Sequence, residues 1–269
     1  MNLARETGHA EVNGTRLYYE VLGEGEPIVL IHGNGGDCRH WDDQFEPLSH
    51  SYRILRYDVR GFGKSSMPEE GVPYSHHDDL KALMNHLRMP KAHICGFSMG
   101  CGIAVDLVLA HPGLSRSLIA VGPWVFGHDS PSVRELYSIF DEIPDILEEE
   151  GAEAAMDHWC DRGFAGAPET EGAKRIREIL NDYSFWSFTH EDPVVYVSPR
   201  AAQQLEKIIQ PTLIVTSEFD TEACKEIADL MEQKITHSKK VVISDSGHVM
   251  IIDKQDEFNQ LVLDFIEGL

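Results

Sequence analysis

The chain has 269 residues, of which 42% are hydrophobic and 25% charged, and it carries a formal net charge of -22. That length is enough for one large domain, or a domain with a modest insertion, around a sizeable core. The negative charge, with no basic patch able to neutralise phosphates, argues against nucleic-acid binding and would repel an anionic membrane surface.

The first element reads as a hairpin: Asn13-Gly14, the preferred type I′ turn pair, separates strands at 9–12 and 16–22. The run Pro27-Ile28-Val29-Leu30-Ile31 is wholly apolar, which suggests a strand buried on both faces, as in a parallel sheet. Further apolar strands read at 52–57, 92–95, 117–121, 212–216 and 240–244. Helical periodicity falls at 75–87, 99–110, 222–235 and 257–266. Strands alternating with helices predict an α/β fold, a mostly parallel eight-stranded sheet flanked by helices. Between residues 123 and 200 no strand is legible. Helical patterns there are rich in charge and in aromatics: Trp124, Phe126, Trp159, Phe164, Tyr183, Phe185, Trp186 and Phe188. The expected organisation is a core of residues 1–122 and 201–269, with a helical cap inserted at 123–200 over one end of the sheet. A second structural lobe has the same signature. The acidic run at 141–153 reads as a solvated helix face.

No apolar run reaches the roughly 20 residues of a membrane-spanning helix. The polar stretch 1–12 lacks the basic-then-apolar pattern of a signal peptide. Five scattered cysteines, Cys38, Cys95, Cys101, Cys160 and Cys224, form no C-x-x-C pair. The expectation is a cytoplasmic protein without a disulfide framework or a zinc site. No cluster of histidines and carboxylates has metal-ligand spacing, so no metal is expected. The His76-His77 pair is expected on an exposed helix start.

Chemistry concentrates in two glycine-rich turns and two loops near the end of the chain. Gly96-Phe97-Ser98-Met99-Gly100 is G-x-S-x-G, placed between the strand at 92–95 and the helix that follows. A serine on so sharp a turn is strained, and the flanking glycines let other backbones pass close by. The helix start adds free N–H groups and positive dipole beside the serine. An ordinary glycine-rich βα turn is the bland reading; a phosphate loop is disfavoured because no Gly-Lys-Ser/Thr follows. The second turn is His32-Gly33-Asn34-Gly35-Gly36, directly after the strand at 27–31.

With these residues the chain resembles the α/β-hydrolase superfamily, in its serine hydrolase branch. The resemblance rests on four motifs in order: His-Gly-x-Gly, G-x-S-x-G, an acid after the seventh strand, and Gly247-His248 after the last. It covers nearly the whole chain and is weakest across the insertion. It implies Ser98 as nucleophile, His248 as general base and Asp220 as the acid that orients the histidine. It also implies an oxyanion hole from the backbone N–H groups of Met99 and Asn34. Glu218 is the rival acid, though family spacing favours Asp220. The proline that often follows this acid is missing here. Asp220 is also a natural helix N-cap, a role that Thr221 would fill equally well. His32 reads as a structural histidine that pins its loop, and the Asn34 side chain has a second possible use in lining a pocket. The loop Tyr57-Asp58-Val59-Arg60-Gly61-Phe62-Gly63 resembles the family's turn after the fourth strand, with Asp58 and Arg60 satisfying buried polar groups.

The implied chemistry is two-step acyl transfer with no cofactor. A serine nucleophile argues against the dehalogenases and epoxide hydrolases of the superfamily, which use an aspartate. His40-Trp41-Asp42, the Arg60-Gly61 loop and Gly-Phe-Ser-Met-Gly look most similar to small bacterial esterases, 3-oxoadipate enol-lactonase-like lactonases and cofactor-free perhydrolases. The expected partner is a small-molecule ester or lactone. The candidate substrate-binding residues are Trp124, Phe126, Trp159 and Trp186. Arg134, Arg162, Arg175 and Arg200 are the cations available to an anionic substrate. Carbon–carbon bond hydrolysis with the same triad, or ligand sensing by a slow hydrolase, are the alternatives.

Overall fold

The computed structural model describes residues 5–161 and 170–269. Phe164 and Arg162 therefore lie outside the described residues. Eight strands form one sheet: β1 (Glu6–Val12), β2 (Thr15–Leu22), β3 (Pro27–Ile31), β4 (Arg53–Tyr57), β5 (Ala92–Phe97), β6 (Ser115–Val121), β7 (Thr212–Ser217) and β8 (Ser238–Ile243). Their spatial order is β1-β2-β4-β3-β5-β6-β7-β8. Only the β1–β2 and β2–β4 pairings are antiparallel. The first hairpin closes with Val12 opposite Thr15, and Asn13 and Gly14 take φ of 49° and 70°, as a two-residue type I′ turn requires.

Helices cover both faces. In chain order they are α1 (Asp42–Ser49), α2 (His76–His86), α3 (Met99–Ala110), α4 (Pro131–Asp141), α5 (Ile143–Glu149), α6 (Ala152–Trp159), α7 (Glu171–Leu180), α8 (Trp186–Thr189), α9 (Glu222–Lys234), α10 (Met250–Asp253) and α11 (Gln255–Glu267). The apolar run of β3 splits by parity. Val29 and Ile31 pack with Leu80 and Leu83 of α2, Leu107 of α3 and Ile227 of α9. Ile28 and Leu30 pack with Phe45 and Leu48 of α1 and Phe258 and Val262 of α11. A strand buried on both faces has no polar side to show, which is why it reads as a continuous apolar run.

Helices α4–α8 lie between β6 and β7. They do not form a separate core: Trp159, Ile176 and Leu180 join the cluster under α11, and Val133 and Leu136 join the one under α9. Among the described residues of this stretch, the only strand-like contact is an isolated bridge between Val194 and Tyr74. Every acidic side chain of the run 141–153 is exposed, as its patterning indicates. Sequence reading passes over α1, because it is short, opens on Asp42-Asp43 and contains Pro47, yet Phe45 and Leu48 on one face bury fully against the sheet. No helix among the described residues is long and apolar enough to cross a membrane.

Candidate active site

The parallel strands deliver their C-terminal ends to one edge of the sheet, and the residues named above sit there. Ser98 N–H donates to Val121 O at 2.9 Å, so β5 stays paired with β6 up to the serine itself. The chain then turns sharply, with Ser98 at φ 54° and ψ −119°, and α3 begins at Met99. Positive φ on a non-glycine residue costs on the order of 1–3 kcal/mol and persists only where neighbours enforce it. The neighbours are close. A Cβ on Gly96 would lie 2.1 Å from Gly100 O, and one on Gly100 would lie 2.3 Å from Ile31 O. The two glycines of G-x-S-x-G are thus required by β5 folding onto α3 and by α3 seating against the end of β3.

Two loops beyond β7 and β8 carry the acid and the histidine. Glu218 N–H donates to Ile243 O at 3.0 Å, Phe219 N–H to Ser246 O at 2.9 Å and Ser217 Oγ–H to Gly247 O at 2.7 Å. These bonds set residue 220 against residue 248. His248 Nδ1 donates to Asp220 Oδ1 at 2.7 Å, with both side chains buried. Asp220 Oδ1 also accepts from Thr221 N–H at 2.8 Å, and Thr216 Oγ1 reaches Oδ2 at 3.3 Å. Thr221, not Asp220, is the N-cap of α9, its hydroxyl accepting from Cys224 N–H at 3.2 Å. Glu218 is exposed and accepts from Asp245 N–H instead. The His248 ring lies 5.0 Å from that of Phe97 and against Gly122, where a Cβ would come within 2.9 Å of Cε1.

Ser98, His248, Asn34 and Met99 all line one cavity of about 500 Å³. Met99 is the first helical residue of α3, so its N–H has no intrahelical acceptor. The Asn34 side chain is turned back, its Oδ1 accepting from Gly35 N–H at 3.0 Å. His32 pins its loop as read: Val59 N–H donates to Nε2 at 2.9 Å, which leaves Nδ1–H to donate to Gly33 O at 2.8 Å. Burial holds the pKa of His32 below its ordinary value, consistent with a neutral ring. Asp58 accepts from Cys38 N–H and Lys64 N–H, and Arg60 makes a two-pronged pair with Asp79.

The cavity walls are largely aromatic. Trp124, Phe126 and Trp159 line the cavity. Trp186 does not: its ring stacks on His190, with centroids 4.9 Å apart, while Ser187 and Phe188 of the same helix line the cavity. Tyr137, Phe140 and Tyr196 also face it, and so do His40, Phe62, His76 and Asp192, none of which the sequence alone places at a pocket. A helix phase of 3.6 residues selects Tyr137 and Phe140, three apart on α4, as one face; the others come from loops, a 3-10 turn and the first residue of α2, and carry no periodic signal. The expectation of an exposed His76-His77 pair is corrected here. His76 turns toward the cavity and burial lowers its pKa to about 3, while His77 is buried, its ring 5.9 Å from that of His111.

The expected arginines lie elsewhere. Arg134 pairs with Asp129, Arg175 with Asp42 and Asp43, and Arg200 covers the ring of Tyr196 from outside at 4.2 Å. Among the described residues the fold also creates three ligand-type clusters that spacing along the chain does not reveal: His77, Asp78 and His111; Asp220, Cys224 and His248; and Asp37, Cys38 and Asp58. The second contains the His248–Asp220 pair, and burial keeps the Cys224 thiol well above its ordinary pKa and so uncharged. In the third, Asp58 is occupied by backbone donors. In the first, His111 Nε2 already lies 2.8 Å from Asp78 Oδ1.

A family model described as the alpha/beta hydrolase fold matches residues 26–255. RutD of Pantoea ananatis, named as a candidate carbamate hydrolase, is 24% identical, covering 93% of each chain. The enol-lactonase of Burkholderia xenovorans LB400 superposes with a TM-score of 0.81 at 27% identity, over 97% of this chain and 100% of that one. A thermophilic esterase from Thermogutta terrifontis gives a TM-score of 0.81 at 24% identity, over 98% of both.

Proposed function

The chain belongs to the α/β-hydrolase fold family, and from that premise we propose that it is a serine hydrolase acting on a small carboxylic ester or lactone. One observation carries the reading. A half-buried serine held at φ 54° opens onto the same cavity as a buried His248–Asp220 pair bonded at 2.7 Å. Asp220 fixes the tautomer with hydrogen on Nδ1, which leaves Nε2 to act as the base.

His248 Nε2 takes the Ser98 hydroxyl proton as Oγ attacks the substrate carbonyl. The N–H groups of Met99 and Asn34 hold the resulting oxyanion, a contribution worth on the order of 10²–10³ in rate for each donor. His248 then passes the proton to the departing alkoxide, and the acyl group stays on Ser98 Oγ. Water enters, gives its proton to Nε2 and attacks the acyl carbonyl. Collapse expels Ser98, which recovers its proton, and releases the acid. These steps use only the protein's own groups and water. Residues 123–200 act as the cap that shapes the cavity, which is of the size that encloses a small molecule.

The reading is tested with chromogenic short-chain esters and simple lactones on the parent protein, Ser98→Ala and His248→Ala. Turnover by the parent that falls at least ~10³-fold in both variants supports it. Equal rates in all three proteins refute it.

A further inference from the structure

The cavity has a single charged corner. Among the described residues lining it there is no lysine or arginine, and Asp192 is the one carboxylate. Asp192 Oδ1 accepts from the Tyr74 hydroxyl at 2.9 Å, and the Val194 N–H is a second neutral donor to the carboxylate. The segment is fixed in place. Val195 N–H donates to Tyr74 O at 2.6 Å, and Tyr74 N–H donates to Pro193 O at 3.4 Å. Tyr74 precedes Ser75, the N-cap of α2, whose first residue, His76, lines the same cavity and carries a buried Nδ1 with no hydrogen-bond partner among the described residues.

Arg60, 4.4 Å from the centre of the Tyr74 ring, is the guanidinium whose charge reaches this carboxylate, but its Nε and Nη2 are bonded to Asp79, which offsets that charge. Tyr196 lies within electrostatic reach of the carboxylate and packs on Phe126, with centroids 4.5 Å apart, and Trp124 and Phe188 line the same cavity. An aromatic wall with a carboxylate set in it attracts cations through both the ring quadrupoles and the charge. The net charge of -22 adds a long-range field of the same sign.

Resting on the hydrolase reading above, we infer that Asp192 and the rings beside it form a specificity subsite for an ammonium or quaternary ammonium group on the acyl or alcohol part of the ester. An anionic substrate, the alternative that free arginines would serve, meets no cation in this wall. Asp192 is a specificity residue here. It takes no part in proton transfer.

The test uses isosteric ester sets that differ only in charge. On the acyl side these are 4-nitrophenyl esters of 4-(trimethylammonio)butanoate, 5,5-dimethylhexanoate and glutarate. On the alcohol side they are acetylcholine and 3,3-dimethylbutyl acetate. The expected result is a kcat/KM about tenfold higher for the cation than for its neutral isostere in one of the two sets. That ratio should fall toward one in Asp192→Asn, which retains an acceptor for the Tyr74 hydroxyl. A purely structural role would scale all esters together and leave the ratio unchanged. If the neutral ester is cleaved as well as or better than the cation, in a Ser98-dependent manner, the subsite is refuted and the hydrolase reading stands. If no ester is cleaved, the hydrolase reading fails, and the subsite is judged by binding. Benzyltrimethylammonium is then titrated against neopentylbenzene by tryptophan fluorescence. Asp192-dependent preference for the cation upholds the subsite, and equal binding removes it.

Discussion

His248 Nδ1 and Asp220 Oδ1 lie 2.7 Å apart, both buried, in two loops that are tied to each other by backbone and serine hydrogen bonds. Asp220, and not Glu218, lies against the histidine, and Glu218 faces solvent. Asp220→Asn would present an amide N–H or a weaker acceptor to Nδ1 and disturb the tautomer. It should lower kcat by about 10⁴-fold. Glu218→Gln should stay within about threefold of the parent. Steady-state kinetics on one ester checks both; a reversed order would transfer the orienting role to Glu218.

The contact between α3 and the end of β3 sets a second expectation. Alanine at Gly100 would push a methyl to 2.3 Å from Ile31 O and 2.6 Å from His32 O, both fixed backbone atoms. Gly100→Ala should therefore fail to fold or lose well over 10 °C in Tm. Gly113, with nothing within 4 Å of its Cβ direction, should accept alanine with a change within about 0.5 kcal/mol. Thermal unfolding of the two variants separates a steric requirement from a general cost of removing glycine.

Two neighbouring aromatics of α8 should behave differently. Phe188 lines the cavity, whereas Trp186 stacks on His190 outside it. Phe188→Ala should alter KM for bulky acyl esters by about tenfold, and Trp186→Ala by less than about twofold. Equal effects would mean that α8 repositions when substrate binds.

Asp106 gives a pH signature. It is buried in α3, with one oxygen accepting from Val197 N–H at 3.4 Å and the other without a partner, and burial raises its pKa from 3.8 to about 7. The folded protein therefore keeps a proton that the unfolded chain releases between these values. The stability linked to Asp106 is fully present below the lower pKa and is lost as pH rises through about 7. Asp106→Asn should remove this part of the slope and raise Tm at pH 8, with little change at pH 4. Denaturant titrations of both proteins from pH 4 to 8 measure it. Identical slopes would show that Asp106 does not carry the effect.

What could be read in the sequence follows from what determines each feature. The sheet was legible because parallel strands buried on both faces carry continuous apolar runs, as β3 does throughout and β7 at Leu213-Ile214-Val215. The serine turn was legible because close backbone approach admits only glycine at residues 96 and 100. The helix α1 was not, since its hydrophobic face is two residues wide and its N-terminal turn is acidic. The cavity wall was legible in part. Trp124, Phe126 and Trp159 follow from the aromatic content of the insertion, but which aromatic faces inward depends on helix phase, and Trp186 was on the wrong side. His76 and Asp192 come from a helix start and a loop joined by the Tyr74–Val194 bridge, a long-range contact without any local signal.

The central claim is that Ser98 is an activated nucleophile, and fluorophosphonate labelling read by intact mass tests it most directly. The account predicts a single adduct on the parent protein, none on Ser98→Ala and a much slower one on His248→Ala. An adduct that persists on Ser98→Ala, or a folded parent protein that takes up none, would contradict it.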